Sequence, residues 1–160
     1  MEAVAASAVA VLGTLFGSAL TYALQRRTVM RTERFTRSER LRQERIDAYS
    51  AFGGALANYR RGQLDLWFVK HVHGAESDVP EMRREAQRLR AAALEAMFRV
   101  QLVTEAADVV EAGRQAMRAI DRLSKAESRP ELDRARDASR TLIYDFISTA
   151  RPRAVVVENS

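Results

Sequence analysis

From Ile46 onward, core-type positions recur three and four residues apart. Ile46, Tyr49, Phe52, Leu56, Tyr59 and Gln63 fall on one helical stripe that closes near Leu66 and Trp67, and the pattern stops at His73-Gly74. Gly53 and Gly54 interrupt that stripe and mark close packing or a mild kink. Asp78-Val79-Pro80-Glu81 has the order of an N-cap, an early Pro and a capping-box Glu. The helix it opens carries Met82, Ala86, Leu89, Ala93, Met97 and Val100. Thr104 suits a cap, Glu105 and Asp108 suit a first turn, and Val109, Val110, Gly113, Met117, Ile120 and Leu123 form the next stripe. Ser128-Arg129-Pro130-Glu131 repeats the cap-plus-Pro order ahead of Leu132, Ala135, Ser139, Leu142 and Phe146, and Arg151-Pro152 is expected to end that helix. The prediction is therefore four helices at about 46–72, 80–102, 105–127 and 130–150, followed by a tail at 152–160. Amphipathic helices joined by short turns predict an all-α, antiparallel up-and-down four-helix bundle over residues 46–151.

The segment ahead of the bundle follows a different rule. Ala3 to Gln25 contains no charged residue, and a helix of about 20 apolar residues spans a roughly 30 Å hydrocarbon layer. Residues Ala3 to Leu24 hold eight Leu, Val or Phe against seven Ala, two Gly, two Ser and two Thr, so insertion is favourable by a modest margin. A cleavable signal peptide would want a basic stretch before the run; here only Glu2 precedes it, and Arg26 and Arg27 follow. Residues 1–25 are therefore expected to form a transmembrane helix, and 26–45 a basic juxtamembrane stalk continuous with the first bundle helix.

Charge sharpens that reading. The net charge is +5, yet the eight Arg and three Glu between Arg26 and Arg45 supply that excess, while 18 basic and 17 acidic residues nearly cancel from Ile46 onward. Positive charge beside the span places the C-terminal domain in the cytoplasm and the N-terminus outside, in a single-pass inner-membrane topology. Arg31, Arg34, Arg37 and Arg40 recur every three residues and, with Arg26 and Arg27, make a basic edge for lipid headgroups. Nucleic acid is the alternative partner for that edge, and a solvated stalk the plain one. The pairs Glu33 with Arg37 and Arg40 with Glu44 support an exposed helix. Within the span, Ala6, Ala10, Gly13, Gly17 and Thr21 line one stripe and include a G-x-x-x-G motif, which predicts close helix association and a homo-oligomer. Phe35, Leu41 and Ile46 do not keep a heptad, so a coiled coil in the stalk is secondary to the bundle.

Candidate chemistry is sparse. The absence of Cys excludes disulfides and thiolate sites. His71 and His73, with Glu76 and Asp78 nearby, are the one arrangement that resembles metal ligation, but i and i+2 side chains diverge by about 200° on a helix. Two surface histidines near a helix end is the plainer reading. Tyr49, Tyr59, Trp67, Phe98, Tyr144 and Phe146 either line a ligand pocket or, as their helical spacing favours, fill the core. No phosphate-cradling glycine loop, nucleophile triad or apolar carboxylate pair is present in the sequence. The expectation is no enzyme, no cofactor and no metal: an interaction or assembly module with an unidentified protein partner. A ligand-sensing bundle and a DNA-contacting protein using residues 26–45 are the alternatives, whereas an ATP-synthase-like strut would run on without turns.

Leu12-Gly13-Thr14-Leu15-Phe16-Gly17, Gln25-Arg26-Arg27-Thr28, Glu44-Arg45-Ile46-Asp47-Ala48-Tyr49-Ser50-Ala51-Phe52 and Tyr59-Arg60-Arg61 with Gln63 and Trp67 carry a resemblance. From its N-terminus to the neighbourhood of Trp67 the chain resembles small actinomycete membrane proteins labelled KilB-like, after plasmid-encoded proteins implicated in plasmid spread. The resemblance implies a membrane-anchored accessory of conjugal plasmid transfer that acts through protein partners. It supplies no catalytic or ligand-binding motif.

Overall fold

The structure, a computed structural model, describes residues 36–73 and 78–155. The uncharged run, Arg26, Arg27, Arg31, Arg34 and Glu76 lie outside the described residues. Those described form α1 (residues 36–68, widening into a π-helical turn at Val69–His73), α2 (Val79–Val103), α3 (Ala107–Ile120), a 3₁₀ turn at Leu123–Lys125 and α4 (Arg129–Val155). Among them there is no strand, and no helix is long and apolar enough to cross a membrane. The chain divides into two compact units, Met1–Arg40 and Leu41–Ser160, and the second holds the four-helix core.

Contacts between the helices fix the direction of travel. Arg45 Nε donates to the Val103 carbonyl at 3.1 Å, while Gly62 faces Leu89 and Ala86, so α1 and α2 are antiparallel. Met97 lies over Gly113 and Arg90 meets Asp121, so α2 and α3 are antiparallel too. Arg153 near the end of α4 binds Asp108 at the start of α3. Along α1 and α4, Phe52 meets Phe146, Arg60 meets Ser139, and Phe68 lies under Arg129. The order is up, down, up, down. The 3.6-residue stripes leave each helix one apolar face, and this arrangement buries all four together.

Phe52, Leu56 and Tyr59 of α1, Ala93 and Val100 of α2, Val109 and Ile120 of α3, and Leu132 and Phe146 of α4 are completely or almost completely buried in that core. Phe146 stands edge-on to Phe52 with ring centroids 4.9 Å apart, and edge-on to Tyr49 at 6.4 Å. Such pairs contribute about 0.5–1.5 kcal/mol beyond area burial. Gly113 makes room for this cluster: a Cβ there would lie 2.8 Å from Phe52 Cε1 and 3.1 Å from Met97 Sδ. Of the two glycines in the first stripe, Gly53 packs towards Ile147, and Gly54 faces open space.

Several sequence expectations need correction. Asp78 is not a side-chain cap: its backbone is helical, and its carbonyl accepts the Met82 N–H at 3.0 Å. Neither does Thr104 cap the third helix; Ala106 precedes it, and the Thr104 hydroxyl accepts the Ala106 N–H at 3.2 Å. The third helix stops at Ile120 rather than near 127. After Asp121 the chain tightens into the 3₁₀ turn, which buries Leu123 and Ala126 and gives the Ala126 carbonyl to Trp67 Nε1–H at 2.7 Å. Arg151-Pro152 does not end α4, which continues to Val155 with Pro152 inside it. Ala150 and Ala154 are buried and Arg153 holds Asp108, so tertiary contacts stabilise the turn that Pro152 weakens. At the other end of α4 the sequence signature works. Ser128 Oγ accepts the Glu131 N–H at 3.4 Å, and the Glu131 carboxylate reaches back to the Glu127 N–H at 2.9 Å.

Candidate functional site

Of the site residues predicted from sequence, Ala6, Ala10, Gly13, Gly17 and Thr21 lie outside the described residues, as do Arg26, Arg27, Arg31 and Arg34. Arg37 and Arg40 are exposed on the first turns of α1. His71 lies in the π-helical turn, its ring stacked on Trp67 at 4.4 Å and 14°, with Nδ1 2.9 Å from the Trp67 carbonyl. That contact takes up the carbonyl where the helix widens, an ordinary role for a histidine at a helix end. The His73 side chain is outside the described set, and among the described residues no group of three His, Asp or Glu is placed to hold a metal. The six aromatics separate. Tyr49, Tyr59, Trp67 and Phe146 are buried, but Phe98 (58% exposed) and Tyr144 (62%) are on the surface. Phe98 is one residue past buried Met97, about 100° around the helix, and Tyr144 is two residues before buried Phe146, about 200° around.

Two polar features interrupt the apolar interior. The first is a junction of α1, α2 and the end of α3. Tyr59 is fully buried; its hydroxyl donates to Asp121 and accepts from Gln63 Nε2 at 3.1 Å, while Arg90 Nε approaches the same Asp121 oxygen at 3.4 Å. Burial, and then the Asp121 carboxylate, push the Tyr59 phenol well above its ordinary range, so it stays protonated and serves as a donor. Gln63 Oε1 and Tyr49 Oη, both buried, have no hydrogen-bond partner among the described residues. This junction ties three helices at one level and lies against the core, which marks it as a structural device.

The second feature is a groove between α1 and α4. Ser139 is fully buried, and its hydroxyl donates to the Arg136 carbonyl at 3.0 Å while accepting from Arg60 Nε at 3.1 Å. The Arg60 Nη2 group donates to the same Arg136 carbonyl at 3.1 Å. A hydroxyl and a carbonyl thereby hold the Arg60 guanidinium in place. Two open clefts adjoin it: one of about 380 Å³ lined by Arg60, Asp133, Arg136, Asp137 and Arg140, and one of about 410 Å³ that includes Arg60, Arg61, Leu64, Asp65, Phe68 and Arg136. Burial, then Arg136 and Arg140, lower the Arg60 pKa from its ordinary value, and Asp137 partly offsets them. At the groove ends, Arg129 lies 5.5 Å above the Phe68 ring and Arg140 lies 6.0 Å from the Tyr144 ring. Sequence reasoning missed this site because its halves lie on the first and last helices of the domain. One signal was present: Arg136 and Arg140 are like charges at i,i+4, a spacing that weakens an isolated helix.

With that geometry in place, known families supply the context: residues 46–154 match the KilB plasmid transfer protein family. The chain belongs to that family. No curated protein and no solved structure matches it. The KilB match runs through all four helices and so takes in both the Tyr59 junction and the α1–α4 groove. It begins at Ile46, whereas the resemblance read from the sequence rested on the N-terminal part as far as Trp67. The family match thus covers the helical domain, residues 46–154.

Proposed function

We propose that this KilB-family protein is a membrane-anchored accessory of plasmid transfer whose helical domain works as an interaction module. The observation that carries the reading is the family match across the whole helical domain. Membrane attachment is supported by the uncharged run from Ala3 to Gln25 and by the eight arginines between Arg26 and Arg45 that follow it. In this reading the protein crosses the inner membrane once, with the helical domain in the cytoplasm and Arg37 and Arg40 towards the headgroups. The Gly13/Gly17 stripe pairs two copies within the bilayer. An interaction role accords with the surface of the domain: Phe98 and Leu102 lie one turn apart on the outer face of α2, Leu102 being 85% exposed, and the two clefts beside Arg60 are open grooves. The domain then acts by contact rather than by a chemical step.

The test has two parts. Full-length protein is expected in the membrane fraction, resistant to alkaline carbonate extraction, and removal of residues 1–25 is expected to release it. In a host carrying the cognate plasmid, loss of the gene is expected to reduce plasmid spread, and the full chain should restore it where the released domain does not. Recovery of the full chain in the soluble fraction would defeat the anchor, and undiminished spread without the gene would defeat the transfer role.

A further inference from the structure

The α1–α4 groove gathers four arginines around two adjoining clefts. Six arginines of the domain, Arg88, Arg90, Arg99, Arg118, Arg129 and Arg153, each face a carboxylate within 3.4 Å. In the groove, Arg60, Arg61, Arg136 and Arg140 form no such pair among the described residues, although all four line its two clefts. Bringing them together opposes folding through like-charge repulsion, and Ser139, a buried hydroxyl, serves to hold the central one in position. An arrangement of this kind becomes favourable when an anion occupies it.

The shape narrows the ligand. The two clefts share Arg60 and Arg136, so they form one open trough along the helices instead of a closed cup for a small ion. On α4, Arg136 and Arg140 rise about 6 Å apart along the axis, and Arg60 faces them from α1. An open trough along two packed helices offers a path that one extended strand can follow. Beyond Arg140, Tyr144 presents an exposed ring of the kind on which bases stack. Asp65, Asp133 and Asp137 also line the trough, and Asp133 is held by Arg129 at 3.2 Å, so the net attraction is moderate.

We propose that this groove binds the phosphodiester backbone of a single nucleic-acid strand through Arg60, Arg61, Arg136 and Arg140, with Tyr144 as a stacking surface. The groove lies within the Leu41–Ser160 unit, and the proposal does not depend on the membrane anchor. Its recognition is electrostatic and indifferent to sequence, and hence steeply salt-dependent.

The experiment uses full-length protein in a neutral detergent and a fluorescent 15-nucleotide oligothymidylate, with anisotropy read from 50 to 200 mM salt. Four phosphate contacts give a log–log salt slope of about −2.8 from this site, and Arg136→Ala with Arg140→Ala is expected to reduce it by about 1.4. The same double variant should weaken binding about tenfold at 50 mM salt. Both side chains are exposed and Trp67 emission reports folding, so loss of structure is separable from loss of contact. Arg61→Ala should show a smaller parallel loss, and Arg83→Ala with Arg84→Ala on α2 should bind as wild type. Wild-type protein that fails to bind the oligonucleotide at 50 mM salt overturns the proposal. So does binding that survives the groove variants and vanishes when Arg26, Arg27, Arg31 and Arg34 are neutralised. A groove variant that releases phosphatidylglycerol vesicles while keeping the oligonucleotide would make the site one for lipid and overturn it equally.

Discussion

Alanine at Gly54 and alanine at Gly113 are one chemical change in two surroundings, and the packing predicts opposite signs. Both glycines lie inside helices, where Ala is favoured by about 0.5–1 kcal/mol through backbone entropy. At Gly54 a Cβ meets nothing within 4 Å, so Gly54→Ala keeps the whole gain. At Gly113 the new Cβ would sit 2.8 Å from Phe52 Cε1, and ordinary contact begins near 3.4 Å, so ring or helix must retreat by roughly 0.6 Å. Phe52 has little room to retreat, being fully buried and edge-on to Phe146 at 4.9 Å. Overpacking of this kind costs about 1–3 kcal/mol, which leaves Gly113→Ala destabilised by about 1 kcal/mol once the helical gain is subtracted. Trp67 is the single tryptophan and is buried in the domain, so its emission follows unfolding within the full chain. For a domain of this size the expected shifts are about +3 °C for Gly54→Ala and about −4 °C for Gly113→Ala. A Gly113→Ala protein that melts as high as Gly54→Ala would show that Phe52 yields freely and that Gly113 does not set the approach of α1 to α3.

Tyr59→Phe removes the donor to Asp121 and the acceptor for Gln63, and leaves both ends of the buried Gln63 amide without a partner; a loss of about 2–3 kcal/mol is expected in urea unfolding followed by Trp67 emission, and a loss under about 0.5 kcal/mol would contradict the junction. The same residue predicts an alkaline limit. Its phenol is raised in the folded state, so its stabilising contribution is intact below the unfolded value near 10 and declines above it by up to about 1.4 kcal/mol per pH unit, a slope that Tyr59→Phe should reduce by one proton. Arg153 holds the Asp108 carboxyl below the usual range, so this contact is present at neutral pH and is lost as pH falls through the folded value; Asp108→Asn should speed amide exchange in the turn around Pro152, and unchanged exchange would assign that turn's order to Ala150 and Ala154 alone. Gly13→Leu with Gly17→Leu should abolish association in a membrane-span reporter assay, and an unchanged signal would remove the proposed seam.

Helical periodicity was legible in the sequence, and one of its cap signatures was too. The stripe from Tyr49 to Trp67 is buried as its spacing predicts, and Ser128 with Glu131 caps α4 through contacts spanning only a few residues. Errors arose at the Asp78 and Thr104 caps, where the local signature itself failed, and where distant partners decide the outcome. No Gly or Pro marks the stop after Ile120; the chain turns there because Asp121 meets Tyr59 and Arg90, and Trp67 takes the Ala126 carbonyl. Pro152 reads as a terminator, yet Arg153 and Ala154 hold the turn around it. Phe98 and Tyr144 differ from the buried aromatics only by one or two positions of register. The groove was invisible for the same reason, since Arg60 and Arg136 become neighbours only once α1 and α4 pair.

This groove also changes what net charge says about the domain. From Ile46 onward 18 basic and 17 acidic residues nearly cancel, and that balance argued against an anionic partner for this part of the chain. Cancellation over a sequence is not cancellation in space. The carboxylates at Glu85, Glu95, Glu111, Asp108, Asp121 and Asp133 are committed to six other arginines, which leaves Asp65 and Asp137 as the lining carboxylates set against Arg60, Arg61, Arg136 and Arg140. Because the Debye length is about 8 Å at physiological salt, a ligand in the groove responds to the charges lining it and hardly at all to those on the far face of α2. Binding in the groove and attraction to the basic segment at 26–45 should therefore be separable: Arg136→Ala with Arg140→Ala alters the first, and neutralising Arg26, Arg27, Arg31 and Arg34 alters the second. Two independent salt slopes that add in the wild type would follow from that separation, whereas a single shared slope would mean that one surface does the binding.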